Sequence, residues 1–508
     1  MHVSDLVTTP IGADLEADIC IVGSGPAGLT LARELAGTSM RVLVLESGGS
    51  ARQADTDGLN EIESIGAARV MTQWTVRNRI LGGSSHTWAG RCASFDPIDF
   101  ASRPWVPHSG WPLSRESLLP FLDRAGPYLG LGLGAGLEPN DMWEKVGFAK
   151  PQPEPDPDLL RSFFWQMSQD TDNPADFMRF GSHVANFNAA NVRIVLNATV
   201  TQIETNQAGT VVESLEVTAP DLSRRAVRAK QYVLCAGGIE NARLLLASCR
   251  TVPEGVGNRH GMVGRFLMDH RVGLVGEFHP GKSDTRERFG YFTIEPGKSG
   301  RRVLHGLALS PAIQAREDLL NCAMWIHVAK SGRSLGRSMR TGLSKLTRRR
   351  SDRVLGSDES VQLLCIVEQR PDPESRVLLS DRTDRLGMPL ARLDWRKHDQ
   401  EDRTVRRMVA IASDELSRLE LTQPAWQEWV SQDNRTPAQL TDTAHPTGST
   451  RMSVDPREGV VGTDCRVHDV ANLYVVGSSI FPTTGHANPT QTVVAFAVRL
   501  ADQLKRAI

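Results

Sequence analysis

Apolar and polar positions follow two different periods along this chain, and each change of period marks an element. Asp18-Ile19-Cys20-Ile21-Val22 is a continuous apolar run of strand length and predicts a buried β-strand. Leu29, Leu31, Ala32 and Leu35 follow at helical spacing, and Val42-Leu43-Val44-Leu45 is a second short apolar run. Strand, helix and strand within about 30 residues make a βαβ unit. Strand patterns return at 192–196, at 200–203 and at 231–238, the last ending in Gly237-Gly238 before a helical stretch over 239–248. Further strands are expected at 363–367, 376–379 and 391–395, then a helix over 402–419. A strand at 473–477 and a helix over 492–507 close the chain. This order predicts an α/β protein with a discontinuous Rossmann-like domain over 1–95, 191–275 and 441–508. An α+β domain built on a β-sheet is inserted over 96–190 and 276–440.

The junction after the first strand carries the first chemistry. Gly23-Ser24-Gly25-Pro26-Ala27-Gly28 places three glycines between strand and helix. The first permits a tight turn, the second lets backbone approach a pyrophosphate, and the third permits close helix–strand packing. The helix N-terminus adds partial positive charge. Glu46, at the end of the second strand, lies 18 residues after Gly28, near the ~20 expected of a carboxylate that accepts from a ribose hydroxyl. Together these residues predict a dinucleotide site. A second glycine-rich loop, Leu81-Gly82-Gly83-Ser84-Ser85-His86-Thr87-Trp88-Ala89-Gly90-Arg91, interrupts the regular pattern.

Composition narrows the partners. The chain has 508 residues, a length that suggests two or three domains. Its formal net charge of −1 argues against nucleic acid as the main partner. The seven cysteines are scattered and show no metal-ligand spacing, so no metal is expected. They suit reduced thiols in a cytoplasmic protein. The N-terminus lacks a basic and apolar leader, and no apolar run reaches the ~18 residues of a membrane span. Residues 333–353 hold eight Lys/Arg and one acid. That segment suits a solvated surface loop, an active-site lid or a docking patch for an acidic partner, and the sequence leaves these open.

The C-terminal motifs give the cofactor. Thr443-Ala444-His445-Pro446-Thr447-Gly448-Ser449-Thr450-Arg451-Met452 is followed by Asn472-Leu473-Tyr474-Val475-Val476-Gly477-Ser478-Ser479 and by Gly485-His486-Ala487-Asn488-Pro489-Thr490. With the two glycine-rich loops, Cys235 to Arg243, and Val263-Gly264-Arg265-Phe266-Leu267-Met268-Asp269-His270, the chain resembles the glucose–methanol–choline (GMC) flavoprotein oxidoreductases. The resemblance covers roughly half the chain and implies FAD. It implies that Gly23, Gly25, Pro26, Ala27 and Gly28 hold the pyrophosphate, with Glu46 and Ser47 at the ribose. Val200, Ala236 and Gly237 would lie near the adenine half, and Gly83, Ser84 and Ser85 beside the isoalloxazine. Gly477, Ser478, Asn488, Pro489 and Thr490 would close the pyrimidine edge. Some members attach flavin through a His at the sixth position of the second glycine loop. Thr87 stands there in this chain and His86 one place earlier, so non-covalent FAD is expected.

The resemblance also places a catalytic pair. His445 stands where the family has its base, and neutral imidazole suits removal of a hydroxyl proton. Asn488 stands at the second position and, having no basic group, would orient the substrate hydroxyl. Gln369 and His486 are candidate substrate contacts. The alternatives are a strand-end role for Gln369 and pocket shaping or a buried hydrogen bond for His486. His86 fits packing near the flavin, with a direct part in the chemistry as the alternative. The pair, with the run from Glu368 to Val377, is most similar to the pyranose oxidases and bacterial glycoside 3-oxidases, including those acting on C-glycosides. It implies oxidation of a secondary ring hydroxyl of a sugar or glycoside to a keto sugar, with oxygen or another acceptor reoxidising the flavin. Two alternatives remain open at this level: oxidation of a primary hydroxyl, for instance on an aminosugar, and a non-redox FAD-containing lyase.

Overall fold

The computed structural model describes residues 2–10, 15–132, 134, 139–147, 150, 152–186, 189–278, 295–296, 302–330, 359–431 and 436–507; the basic segment 333–353 lies outside them. The first apolar run becomes the strand Leu15–Val22, buried on both faces, at the centre of a largely parallel sheet. It pairs in parallel with Val42–Leu45 on one side and with Arg224–Leu234 on the other. Val192–Leu196 and then His2–Asp5 extend the sheet in parallel beyond Val42–Leu45. On the far side, Arg224–Leu234 pairs with Leu473–Val475 in parallel and with Val212–Thr218 antiparallel, and Thr199–Thr205 follows antiparallel.

Helix Pro26–Glu34 covers this sheet, and its entry depends on two glycines. Gly23 has φ +102°, and a Cβ on Gly28 would lie 1.9 Å from the Gly23 carbonyl oxygen. Strand and helix therefore meet at a distance only glycine allows. The closing helix Thr490–Ala507 packs against Pro26–Glu34 and against Arg115–Tyr128.

A second sheet of nine strands runs antiparallel through Arg271–Phe278, Glu359–Val367, Cys322–Lys330, Arg302–Leu309, Leu160–Met167 and the short Arg91–Cys92. One face covers a separate apolar core beneath helix Asp399–Arg418. The other face looks toward the parallel sheet. Arg376–Thr383 and Pro389–Asp394 do not join this second sheet, although sequence grouped them with the inserted segment. They pair with each other and with Ile62–Ser64, beside helix Gly237–Ala247. Arg243 of that helix is buried and donates to Asp384, which fastens the small sheet to the nucleotide side. Among the described residues, no helix is long and apolar enough to cross a membrane.

Candidate active site

Four parallel strands end at one place. Val22, Leu45, Leu234 and Val475 lead directly into Gly23, Glu46, the 235–237 turn and the 476–478 turn. In open α/β sheets, ligands bind beyond the carboxyl ends of the strands. A cavity of about 490 Å³ opens there and extends to the inner face of the nine-stranded sheet. It is lined by every residue expected at the cofactor except Gly28, which lies beneath it in the helix–strand contact.

The nucleotide end fits a flavin dinucleotide. A Cβ on Gly25, or on Gly237 at φ +89°, would meet nothing within 4 Å, so both positions leave open space along the wall. Glu46 is buried and accepts from the Ser24 amide at 3.0 Å, the Ser24 hydroxyl at 2.6 Å and the Gly48 amide at 2.9 Å. Burial raises its pKa against these bonds. Arg77 and Arg79 both pair with Glu240, which also faces Arg243. Ser47 shares a hydrogen bond with Thr199 at 2.7 Å. Gly83 comes so close that a Cβ there would lie 2.9 Å from Gly25 Cα, and the two glycine loops touch through backbone. His86 points away, with Nε2 2.9 Å from the Leu81 carbonyl, while Thr87 lines the cavity.

At the opposite end, His445 is held by its own backbone and by its ring. Asp269 accepts from the His445 amide at 2.9 Å and from the Thr443 hydroxyl at 2.9 Å, and pairs with the buried Arg69. Ala444 takes φ +60°, a left-handed conformation that costs a non-glycine residue and here turns the next side chain into the cavity. His270 Nε2 faces two carbonyls, Gly485 at 3.0 Å and Thr484 at 3.4 Å, so Nε2 carries the proton. His270 Nδ1 is then an acceptor, and it lies 3.0 Å from His445 Nδ1. The Thr443 hydroxyl, 2.9 Å from that same nitrogen, spends its own proton on Asp269. Both neighbours accept, so the network assigns the ring proton to His445 Nδ1 and leaves a lone pair on Nε2. Burial, with a smaller contribution from His270, lowers the His445 pKa to about 3, and burial also lowers that of His270. Both rings are neutral at ordinary pH.

Asn488 lines the same cavity, and its amide makes no hydrogen bond among the described residues. Thr490, two residues on, starts the closing helix and also lines the wall. The two candidate substrate contacts are placed otherwise. Gln369 is fully buried outside the cavity, and its amide is consumed. Its oxygen accepts from the Asp269 amide at 2.6 Å and the Trp395 indole at 2.8 Å, and its nitrogen donates to the Arg396 carbonyl at 2.5 Å. It braces the loop behind His445, and its burial outside the cavity keeps it from a sugar. His486 is also fully buried, with its ring against Phe163 at 4.3 Å and Trp165 at 6.3 Å. Trp165 lines the cavity and His486 does not, so His486 backs the wall. Burial lowers its pKa to about 3.

Sequence reading gave no role to His270, although it was quoted inside a family motif, and none to the sheet residues that complete the cavity. Arg91, Trp165, Trp325, His327 and Gln362 line that side. Elsewhere, Asp170, Asp172 and His183 bring donor atoms within 4.8 Å of one another. His183 Nε2 bonds Asp170 at 2.8 Å, which ties the turn after Leu160–Met167 to the 180–186 segment.

A family model described as FAD dependent oxidoreductase matches residues 18–306, and one described as GMC oxidoreductase matches residues 371–497. The chain belongs to the GMC family of FAD-dependent oxidoreductases. As such it acts on CH–OH groups. This GMC oxidoreductase is 24% identical to the 2-methyl-1,2-propanediol dehydrogenase of Mycolicibacterium austroafricanum, over 97% of this chain and 95% of that protein. It is 25% identical to the 6'''-hydroxyparomomycin C oxidase of Streptomyces lividus, over 96% and 91%. With the C-glycoside 3-oxidase of Arthrobacter globiformis the identity is 30%, over 36% of this chain and 35% of that one. Among solved structures, pyridoxine 4-oxidase from Mesorbium loti superposes with TM-score 0.59 at 19% identity, covering 96% of this chain and 99% of that one. Formate oxidase superposes with TM-score 0.63 at 17% identity, covering 98% and 99%. These two likenesses establish the shared fold.

Proposed function

We propose that this GMC oxidoreductase oxidises a secondary ring hydroxyl of a sugar or glycoside to the keto sugar. The observation that carries the reading is the His445 ring, with its proton on Nδ1 and a free Nε2 in the same cavity as the unbonded Asn488 amide. FAD, when bound, supplies the hydride acceptor at flavin N5. Gly23, Gly25, Pro26 and Ala27 would hold its pyrophosphate, Glu46 and Ser47 its ribose, and Val200, Ala236 and Gly237 its adenine half. Gly83, Ser84 and Ser85 would flank the isoalloxazine, and Gly477, Ser478, Pro489 and Thr490 would close its far edge. Non-covalent binding is part of this reading, supported by His86, the one histidine of the second glycine loop, whose Nε2 lies 2.9 Å from the Leu81 carbonyl.

His445 Nε2 would accept the proton from the hydroxyl oxygen as hydride leaves the carbon that bears it, so that the C–O bond becomes C=O. Asn488 donates from its amide to the reacting oxygen. Oxygen or another acceptor then takes the electron pair. Trp165 and Trp325 on the sheet side supply flat apolar surface of the kind that covers the faces of a sugar ring.

A second reading is oxidation of a primary hydroxyl on an aminosugar, favoured by whole-length similarity to 6'''-hydroxyparomomycin C oxidase and to paromamine 6'-oxidase. Anaerobic bleaching of the flavin by a panel of glycosides, aminosugars and simple alcohols, with NMR of each product, separates the readings. A ring ketone from a glycoside supports the proposal. An aldehyde from an aminosugar supports the second reading, and product formed while the flavin stays oxidised refutes both.

A further inference from the structure

The sheet-side wall of the cavity carries an uncompensated positive charge. Arg91 begins the short strand Arg91–Cys92 at the edge of the nine-stranded sheet and lines the cavity. Its guanidinium carbon lies 4.6 Å from the centroid of the Trp325 ring. No carboxylate pairs with it and no hydrogen bond holds it among the described residues, and its Nε is fully buried without a partner. The other lining arginines differ: Arg77 and Arg79 share Glu240, and Arg243 has both Glu240 and Asp384. Those three sit at the nucleotide end. Arg91 sits across the cavity, beside His327 and Gln362, which pair across neighbouring strands.

A half-buried guanidinium facing a cavity without an acid is costly to desolvate, and an anion in the cavity would complete it. Its planar fork matches the two oxygens of a carboxylate. The charge count selects the anion. Burial lowers His327 to about 4 and Arg91 to about 10, so near neutrality the first is uncharged and the second fully charged. This end of the cavity therefore carries a single positive charge, and no carboxylate lines it among the described residues. One unit of charge matches a monoanion better than a phosphate monoester, and it repels a cationic aminosugar.

We infer that the substrate carries a carboxylate, as a uronic acid or a glycoside of an acid does, and that Arg91 binds it. This inference rests on the proposed oxidation of a sugar hydroxyl. It adds the charge of the substrate and the residue that reads it. Trp325 stacks on one side of the guanidinium and holds it in place, and His327 and Gln362 offer polar contacts next to it. The carboxylate sits at the sheet side while the reacting hydroxyl meets His445.

The test is equilibrium binding to the FAD-loaded enzyme, read by perturbation of flavin absorbance and by calorimetry under anaerobic conditions. The probes are matched pairs of methyl hexopyranosides and methyl hexopyranosiduronates in the gluco, galacto and manno series. In at least one pair the uronate should bind about 10- to 100-fold tighter than the neutral glycoside, as expected of a charge-assisted bidentate contact. Arg91→Gln should abolish that difference and leave neutral binding within about threefold, whereas Arg91→Lys should keep part of it. A residue serving only to pack Trp325 would weaken both members of a pair equally, and that result overturns the inference. So does a wild-type enzyme that prefers the uronate in no pair, or a preference that survives Arg91→Gln. Flavin bleaching in the same samples is a separate readout. Bleaching by neutral glycosides with no uronate preference would sink the inference and leave the oxidation standing. Uronate binding without bleaching by any sugar would do the reverse.

Discussion

The chemistry assigned to His445 depends on a single proton position. Were that proton on Nε2, the ring would present a donor to the substrate hydroxyl and could not remove its proton. His270 and Thr443 prevent this by accepting at Nδ1 from two directions. His270→Ala removes one acceptor and admits water behind the ring. Flavin reduction should slow about 10- to 100-fold, and the acid limb of its pH profile should move up toward the ordinary imidazole range. A purely structural role for His270 would lower FAD content or melting temperature and leave that limb in place. In the wild type, a base lowered to about 3 stays neutral as pH falls through the usual imidazole range. The reduction rate should therefore be flat from about pH 8 to about pH 5 and fall only below that. A limb near 6.5 would show that His445 is not the titrating base. Gln369 had two readings open in the sequence, and its bonds fit the structural one rather than a substrate contact. Its partners, Asp269, Trp395 and Arg396, lie in other segments, and only their convergence reveals that its amide is already used.

At the scale of elements, the glycine turn makes two separable demands. Gly28→Ala drives a methyl group to 1.9 Å from the Gly23 oxygen, so helix and strand must part. It should lower the melting temperature of the FAD-free protein as well as FAD occupancy. Gly25→Ala meets open space and an ordinary backbone φ of −71°. Its apo-protein should melt like the wild type, with FAD bound at least about tenfold more weakly because the methyl group projects where the pyrophosphate approaches. Equal losses in both variants would contradict this division. The parallel strands were legible in sequence because burial on both faces makes them continuous apolar runs, such as Val42–Leu45. Leu160–Met167 and Cys322–Lys330 were not. In Cys322–Lys330, Met324 and Ile326 face one apolar core while Trp325 and His327 face the cavity. Large apolar side chains on both faces blur the period of two that marks a half-buried strand. The wall residues Trp165, Trp325 and His327 went unread for that reason, whereas Arg91 was quoted at the end of the second glycine-rich loop and given no role.

Across the whole molecule, neutral histidines make acid the natural enemy of the fold. His305, His445 and His486 are each lowered to about 3 by burial. Unfolded, the same rings take up protons below about pH 6.5. Their contribution to stability is thus complete above about pH 6.5 and shrinks as pH falls toward 3, by on the order of 1 kcal/mol per pH unit for each ring. Melting temperature should decline steadily from pH 6.5 to pH 4, and a flat profile would contradict the buried neutral state. The broad architecture was readable because the motifs sit at strand ends, and strand ends are where an α/β sheet binds. How the second sheet closes over those ends was not, because it depends on contacts between distant segments. The most direct test of the account is anaerobic stopped-flow reduction of the FAD-loaded enzyme by its best sugar, comparing wild type with His445→Ala. The account predicts full FAD content in the variant and flavin reduction slower by about 10²–10⁴-fold. Reduction at the wild-type rate would contradict it.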